Sequence, residues 1–142
     1  MTAKQIILVR TDLGMSKGKM ISQGAHASLK AILDLGQYIH SCDVDGSRIV
    51  EGWNINYTTC IDYEAITEWL RGSFTKICLR VETEQQLVEL IEKAKAAGLV
   101  TSLITDAGKT EFNGVPTVTC GAIGPADSTR IDPITGHLRP LL

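Results

Sequence analysis

Two lysines stand where the chain is predicted to begin its first helix. An apolar run at 5–9 is typical of a buried strand, and the residues after it lead into a helix predicted over 16–35. Ser16 suits the N-cap, because its hydroxyl can accept a hydrogen bond from a first-turn amide. Lys17 and Lys19 lie in that turn, where free amides and the helix dipole already favour an anion. Lysine stabilises a helix start poorly, so the sequence predicts that a ligand uses the charge.

Polar and apolar residues divide this helix into two faces. Four residues that can bind anions or transfer protons recur at helical spacing on one face: Lys19, Gln23, His26 and Lys30. The roughly opposite face is apolar and is predicted to pack on the sheet: Ile21, Ala25, Leu29 and Ile32. Every surface helix has such a division, so the pattern leaves open whether His26 contacts a ligand or is only packed or solvated.

A second group of polar side chains follows the predicted third strand and continues into the fourth. It contains Asp106, Lys109, Thr110, Thr117 and Thr119. Ligands of open parallel sheets bind beyond the carboxyl ends of the strands, so we expect Asp106 to lie near Lys19. Simpler interpretations stay open: Asp106 can cap a turn, Lys109 can be a solvated cation, and the threonines can reflect strand preference.

The order of predicted elements is that of an α/β protein. Apolar runs predict strands at 4–10, 75–81, 100–105 and 117–123. Helices are predicted at 16–35, with Gly36 as the stop, and at 62–71, with Leu70 on the buried face. A third is predicted from Thr83, which forms a capping pair with Gln86, to Gly98, and a fourth from an N-cap at Asp132 onward. We expect a single domain over 1–142, with a three-layer α/β/α architecture and a four-stranded, mostly parallel mixed sheet.

Acidic residues are concentrated in one segment, at 42–70. Six acidic residues and one arginine fall there, which leaves 13 basic against 10 acidic residues elsewhere in a chain of net charge −2. A local basic surface is therefore compatible with the negative average. Within the segment, residues 43–46 predict a turn rather than a calcium loop, because position twelve is Asn54 and not glutamate. A small hairpin is predicted between 48–50 and 55–59.

Composition excludes several other classes. The chain of 142 residues is 44% hydrophobic and 21% charged, with no apolar run near the ~20 residues of a membrane span. No secretion signal is recognised at the N-terminus, so we expect a cytoplasmic protein. The glycines form neither a dinucleotide fingerprint nor a P-loop, and the four cysteines and three histidines do not cluster. We expect no cofactor and no metal, and we expect Cys78 and Cys120 to be buried thiols.

Three separated blocks carry a resemblance to a known family. The first is Arg10-Thr-Asp-Leu-Gly-Met-Ser-Lys-Gly-Lys19 with Gln23-Gly-Ala-His26-Ala, and the second is Gly98-Leu-Val-Thr-Ser-Leu-Ile-Thr-Asp-Ala-Gly-Lys-Thr110. The third joins Ile123-Gly-Pro-Ala-Asp127 to Ile131-Asp-Pro-Ile-Thr-Gly-His-Leu138. Together they resemble type-2 peptidyl-tRNA hydrolases, the archaeal and eukaryotic form. The resemblance implies cleavage of the ester that joins a peptide to tRNA, and relatives that are often homodimers.

That substrate needs cations for phosphate, donors for an oxyanion and a group that orients water. We assign catalysis to four residues: Lys19, Asp106, Thr110 and Thr119. We assign substrate binding to six more: Lys17, Gln23, His26, Lys30, Lys109 and Thr117. The family motifs match best at Lys19, Asp106 and one threonine of the fourth strand. Direct attack by water is favoured over a covalent intermediate, because no nucleophile has an evident relay.

Two other function classes remain compatible with the sequence. One is a non-catalytic module that binds RNA or protein, and the other is an esterase or amidase for another aminoacyl or peptidyl conjugate. The chain also departs from the family at Ser16, where glycine is common, and at 72–76, where a glutamine usually precedes the strand. Its segment at 42–70 is enlarged. These departures concern substrate affinity more than the reactive residues.

Overall fold

The computed structural model describes all residues from 1 to 142. Six strands and four helices follow one another along the chain. They are β1 (Ala3–Arg10), α1 (Lys17–Leu33), β2 (Gly36–Cys42), β3 (Ile49–Ile55), α2 (Tyr63–Arg71), β4 (Lys76–Val81), α3 (Glu84–Ala96), β5 (Thr101–Asp106), β6 (Thr117–Asp127) and α4 (Ser128–Thr135). The α/β class is confirmed. None of the four helices is both long and apolar enough to cross a lipid bilayer.

The main sheet is mixed, and the prediction that it is mostly parallel is wrong. Its four strands lie in the order β4-β1-β6-β5. Only β1 and β4 are parallel, whereas β6 is antiparallel to both of its neighbours. The reason lies in the loop at 107–116, which is shorter than the roughly dozen residues of a parallel crossover. The chain therefore turns back, and β6 pairs antiparallel with β5.

Strand direction nevertheless brings two loops to one edge of the sheet. Because β1 and β5 both run antiparallel to β6, their carboxyl ends lie at the same edge with only β6 between them. One end leads into α1 and the other into the loop at 107–116. β6 begins at this edge, where Thr117 lies opposite Asp106 in the strand register. The topology thus gathers three chain segments beyond one sheet edge.

Apolar residues form two main clusters, and β1 contributes to both. Ile6 and Leu8 belong to a cluster of 12 buried residues that includes the apolar stripe of α3. Ile7 and Val9 belong to a cluster of eight that includes small residues of α1. Successive side chains of a strand point to opposite faces, so each cluster takes every second residue of β1. The capping pair predicted for α3 is confirmed, since Thr83 accepts a hydrogen bond from the Gln86 amide at 3.0 Å.

The face of α1 that packs on the sheet is not the one predicted. Ile21 and Leu29 are 74% and 59% exposed, and Ala25 is exposed as well. The buried residues of the helix are instead Gln23, Gly24, Ala27 and Ala31. Their small size explains the orientation, because it lets the helix backbone approach the sheet, where Ser102 donates to the carbonyl of Ala27 at 2.7 Å. The larger apolar residues consequently border open grooves.

The segment after α1 forms a separate hairpin. β2 and β3 pair antiparallel, so the predicted pairing of 48–50 with 55–59 is wrong. Gly36 does not end α1 as expected but begins β2, after a C-cap at Asp34. Most residues of β2 are exposed, and its sequence does not show the alternation of apolar and polar residues by which a strand is recognised. The turn at 43–46 is confirmed by a 2.8 Å hydrogen bond from the Gly46 amide to the Asp43 carbonyl.

Three smaller predictions also differ from the structure. The N-cap of α4 is Asp127, which accepts from the Thr129 amide at 2.9 Å, whereas Pro133 lies inside the helix. Leu70 of α2 is 41% exposed rather than buried. Cys120 is buried as expected, but Cys78 is exposed, because β4 is an edge strand of the sheet with one face partly open.

Candidate active site

Lys19 joins the two loops at the common sheet edge. Its Nζ atom lies 2.9 Å from Oδ1 of Asp106 and donates a second hydrogen bond, also of 2.9 Å, to Oγ1 of Thr110. The side chains of Lys19 and Asp106 are 11% and 14% exposed. The predicted convergence of these residues is therefore observed. An ammonium group has three N–H donors, so one remains for a ligand after these two bonds.

Asp106 is surrounded by donors. Its Oδ1 atom also accepts from Nε2 of Gln23 at 3.1 Å, and its Oδ2 atom accepts from the Gly108 amide at 2.9 Å. The Lys19 hydrogen bond is the main cause that holds the pKa of Asp106 below its ordinary value. Desolvation, the second-largest cause, raises this pKa, and the Gly108 amide, the lysine charge and the Gln23 amide lower it further. Asp106 is therefore a carboxylate at neutral pH and a weak base.

A buried polar chain supports Asp106 from below. Thr119 is fully buried and donates to Oε1 of Gln23 at 2.5 Å, while the amide nitrogen of Gln23 reaches Asp106. Gln23 itself is only 2% exposed. Neither residue offers a free surface to a substrate. Gln23 thus contacts Asp106 directly, and Thr119 contacts Gln23. The roles predicted for Gln23 in substrate binding and for Thr119 in catalysis stay predictions.

Glu111 is a site residue that sequence reasoning missed. Its carboxylate accepts from the backbone amide of Ser16 at 3.2 Å and from the Ser16 hydroxyl. The same hydroxyl caps α1 by accepting from the Lys19 amide at 3.2 Å, which confirms the predicted N-cap. Glu111 thus ties the loop of Thr110 to the start of α1. The only signal in the sequence was an acidic residue next to Thr110.

Phe112 is a second residue that the sequence did not reveal. Its ring centroid lies 5.6 Å from Nζ of Lys19, within the range of a cation–π contact. The ring also packs on the cluster beneath α1. It therefore anchors the loop at 107–116 and lowers the local polarity beside the lysine.

The remaining predicted residues are dispersed around this centre. Thr117 is half-buried and donates to the Val115 carbonyl at 2.9 Å, and Lys109 is exposed on the loop. Lys17 lies on another side of α1, in a groove shared with α2 and β4. His26 and Lys30 line a further groove between α1 and β5. The structure thus brings together Lys19, Asp106, Thr110 and Gln23, with Thr119 bonded to Gln23, and leaves the other five predicted residues around them.

Replacing Gly108 with alanine is expected to displace the loop at 107–116 and lower activity about tenfold or more. Gly108 has φ +79°, and an added Cβ atom would lie 2.2 Å from the carbonyl oxygen of Val115. The loop must move to relieve that contact, which disturbs the 2.9 Å bond to Asp106. Hydrolysis rates and urea unfolding of G108A measure the effect, with an expected stability loss of about 1–3 kcal/mol.

Gly114 provides the matched control for this prediction. It lies in the same loop with φ +76°, but an added Cβ would meet no atom within 4 Å. Gly114→Ala therefore carries the backbone strain without the collision. Equal losses of activity in G108A and G114A would show that the close contact with Val115 has no special role.

Comparison with known proteins identifies the family. The family model described as peptidyl-tRNA hydrolase PTH2 matches residues 3–141. The chain is 36% identical over 138 residues to a peptidyl-tRNA hydrolase of Methanocaldococcus jannaschii, covering 97% of this chain and 99% of the relative. It is 40% identical over 136 residues to one of Halobacterium salinarum, covering 95% and 96%. The chain belongs to the peptidyl-tRNA hydrolase PTH2 family. A relative from Methanopyrus kandleri, 40% identical over 139 residues, has the same name.

The geometry gives this PTH2 family member a centre suited to acyl-ester chemistry. Lys19 offers positive charge and a free N–H, and Thr110 accepts from Lys19, so its own hydroxyl proton is free to donate. Both donors can meet a developing oxyanion. No group of three or more His, Cys, Asp or Glu side chains is arranged to hold a metal ion. Burial raises the pKa of the Cys120 thiol to about 12, so that thiol is not a nucleophile near neutral pH.

Proposed function

We propose that this chain hydrolyses the ester bond between peptide and tRNA in peptidyl-tRNA, releasing free tRNA. The observation that carries the proposal is the contact of Lys19 with both Asp106 and Thr110, in a chain that matches the PTH2 family model over 3–141. The constellation supplies fixed charge and donors in a site of low exposure. Such preorganised groups stabilise an acyl-transfer transition state without rearranging during the reaction.

In the proposed reaction, a water molecule attacks the ester carbonyl carbon and its oxygen forms the new bond. Asp106 orients this water through the lone pairs of Oδ2 that the Gly108 amide leaves free. The free N–H of Lys19 and the hydroxyl of Thr110 stabilise the negative charge on the carbonyl oxygen. The bond to the ribose oxygen then breaks, and that oxygen takes up the proton that the attacking water gives up. The products are a peptide acid and tRNA with a free terminal hydroxyl.

The surrounding residues are assigned to the substrate. Lys17 and Lys109 are exposed near the two loops, and we assign them to phosphate contacts. His26 and Lys30 lie farther along α1, in the groove beside β5, and we assign them to substrate contacts there. Thr117 faces Asp106 across the strands and contributes at the edge of the site. Such cation contacts weaken as salt rises.

The architecture and setting that we propose follow from the same interpretation. The two clusters that β1 separates support one domain with a three-layer α/β/α arrangement. A homodimer is implied by resemblance to the family. The cytoplasm is the compartment in which translation makes the substrate.

Incubation with peptidyl-tRNA tests the proposed function directly. We expect the purified chain to release tRNA and peptide from N-acetyl-aminoacyl-tRNA in multiple turnovers, as followed by acid gel electrophoresis. Uncharged tRNA is the parallel ligand for a binding measurement. Tight binding of tRNA without any release of peptide would contradict the proposal and favour a non-catalytic module.

A further inference from the structure

A second groove opens beside the candidate active site, and its volume is about 830 Å³. One wall is α1 from His26 to Asp34, the opposite wall is β5 from Leu103 to Thr105, and Trp53 of the hairpin lies at the far end, beside Leu33. Its size is in the range of ligand-binding clefts. We call it the β5 groove. Five of its nine lining residues are hydrophobic.

The β5 groove starts next to the reactive centre. On β5, Thr105 directly precedes Asp106. On α1, His26 lies three residues after Gln23, which is about 4.5 Å along the helix axis. When the ester carbonyl carbon of a substrate lies beside Lys19 and Asp106, a group attached to that carbon can therefore reach the near end of this groove. In peptidyl-tRNA, the peptide is one of the two groups attached to that carbon.

One wall of the groove is an unpaired strand edge. β5 is the last strand of the sheet and pairs only with β6. Leu103 packs against the cluster of α3 and Ile104 against the cluster of α1, yet both line the groove, so the groove follows the edge of the strand. The Val100 carbonyl bonds to Gly124 of β6. By the alternation of antiparallel pairs, the backbone groups of Leu103 point away from β6 and are free.

Trp53 gives the far end an exposed aromatic surface. Its indole nitrogen donates to the Leu33 carbonyl at 3.2 Å, which holds the hairpin against the end of α1, while the side chain stays 53% exposed. Asp34 lies at the same end and pairs with Lys30 at 3.0 Å, so this pair adds no net charge to the groove. A groove that is mainly apolar and has an aromatic end suits peptide side chains.

We propose that the β5 groove binds the peptidyl part of the substrate as an extended strand on the free edge of β5, with an apolar side chain against Trp53. This inference rests on the proposed function. β5 runs toward Asp106, and the peptide must run toward the ester with its carboxyl end, so the two strands are parallel. Backbone pairing of this kind accepts many sequences, and the apolar groove adds a preference for apolar side chains.

The kinetic test compares two substrates on the same tRNA: N-acetylglycyl-tRNA and an N-acetyl-tetrapeptidyl-tRNA with leucine and phenylalanine side chains. We expect wild-type kcat/KM to be about tenfold higher for the tetrapeptidyl substrate. Trp53→Ala is expected to lower that ratio at least threefold and leave the glycyl substrate unchanged. Val44→Ala, at the fully exposed hairpin turn, is the matched control and keeps the wild-type ratio. A ratio that does not change in W53A would overturn the proposal.

A binding test on the wild-type chain does not depend on hydrolysis. The N-acetyl-tetrapeptide amide is titrated into ¹⁵N-labelled protein, and we expect shifts at the Leu103 amide and the Trp53 indole N–H. N-methylation of the peptide's amide nitrogens is expected to remove the Leu103 shift, because it removes the donors to the Leu103 carbonyl and the methyl groups keep the peptide backbone from pairing with the strand edge. Loss of hydrolysis with these shifts retained would refute only the proposed function. Their absence, or the same shifts with an acceptor-strand oligonucleotide instead, would refute the peptide groove.

Discussion

Replacing Lys19 with methionine is expected to lower kcat for peptidyl-tRNA hydrolysis by about 10²- to 10³-fold, the usual effect of removing an oxyanion donor. Methionine keeps an apolar stem of similar length and removes only the ammonium group. That group donates to Asp106 and Thr110 at 2.9 Å each, so its loss removes the charge and also releases both partners. Single-turnover rates with excess enzyme measure the chemical step without the effect of weaker binding.

The control for this variant is Lys95→Met. Lys95 is an exposed lysine in the last turn of α3, paired only with Glu92 at 3.6 Å, so its loss changes the net charge of the chain by the same amount. We expect wild-type rates from K95M. Circular dichroism and urea unfolding establish that K19M remains folded. A folded K19M chain with more than about a third of the wild-type rate would refute the role given to Lys19.

Replacing Asp106 with asparagine is expected to lower kcat by about 10²-fold at every pH from 5 to 9. The substitution keeps the shape and removes the charge that holds Lys19 and orients the water. Groups that act on the attacking water typically contribute about 10²–10⁴-fold. Because the Lys19 hydrogen bond lowers the pKa of Asp106, the wild-type carboxylate stays ionised over this whole range. A pH–rate profile of both proteins measures the difference, and a rate in D106N that recovers toward pH 9 would contradict this role.

The stability of the same variant should depend on pH with a defined sign. Folding lowers the pKa of Asp106, so the ionised group stabilises the folded state above its ordinary pKa of about 3.9. This contribution disappears as the pH falls through the lowered pKa. D106N is therefore expected to unfold at a lower urea concentration than wild type at pH 7, with the gap closing at acid pH. A difference in unfolding urea concentration that widens at acid pH would contradict the Lys19 hydrogen bond as the cause of the lowered pKa.

The proximity of Lys19 and Asp106 was predictable from sequence, because it depends mainly on where β1 and β5 end and on the direction in which they run. The apolar runs that became β1 and β5 were recognisable, and the carboxyl ends of both carried polar groups. The wrong prediction of parallel pairing did not change this result, because β6 runs antiparallel between β1 and β5 and leaves their carboxyl ends at the same edge of the sheet. Ser16 was likewise predictable as the N-cap, since capping is a local interaction between residues three apart.

The misses concern interactions that are remote in sequence or depend on close packing. Glu111 reaches Ser16 across 95 residues, and no local pattern records such a pair. The orientation of α1 depended on Ala27 and Ala31, whose small size permits a close approach that hydrophobicity scales undervalue. Gln23 was placed on the polar stripe of α1, and that pattern showed neither its burial nor its 2.5 Å bond with Thr119. A pattern of residue types shows neither which distant residues meet nor how closely two elements pack.

The position of β6 between β1 and β5 fixes the distance between the ends of these two strands. Neighbouring strands lie about 4.8 Å apart, so the single strand between β1 and β5 separates their ends by roughly 10 Å. Lysine, with its four-carbon stem, bridges much of that interval from the first turn of α1 to Asp106 and Thr110. A side chain shorter by one or two methylenes would stop short of both. The spacing of the strands therefore requires a long side chain at residue 19, in addition to the positive charge that the site uses.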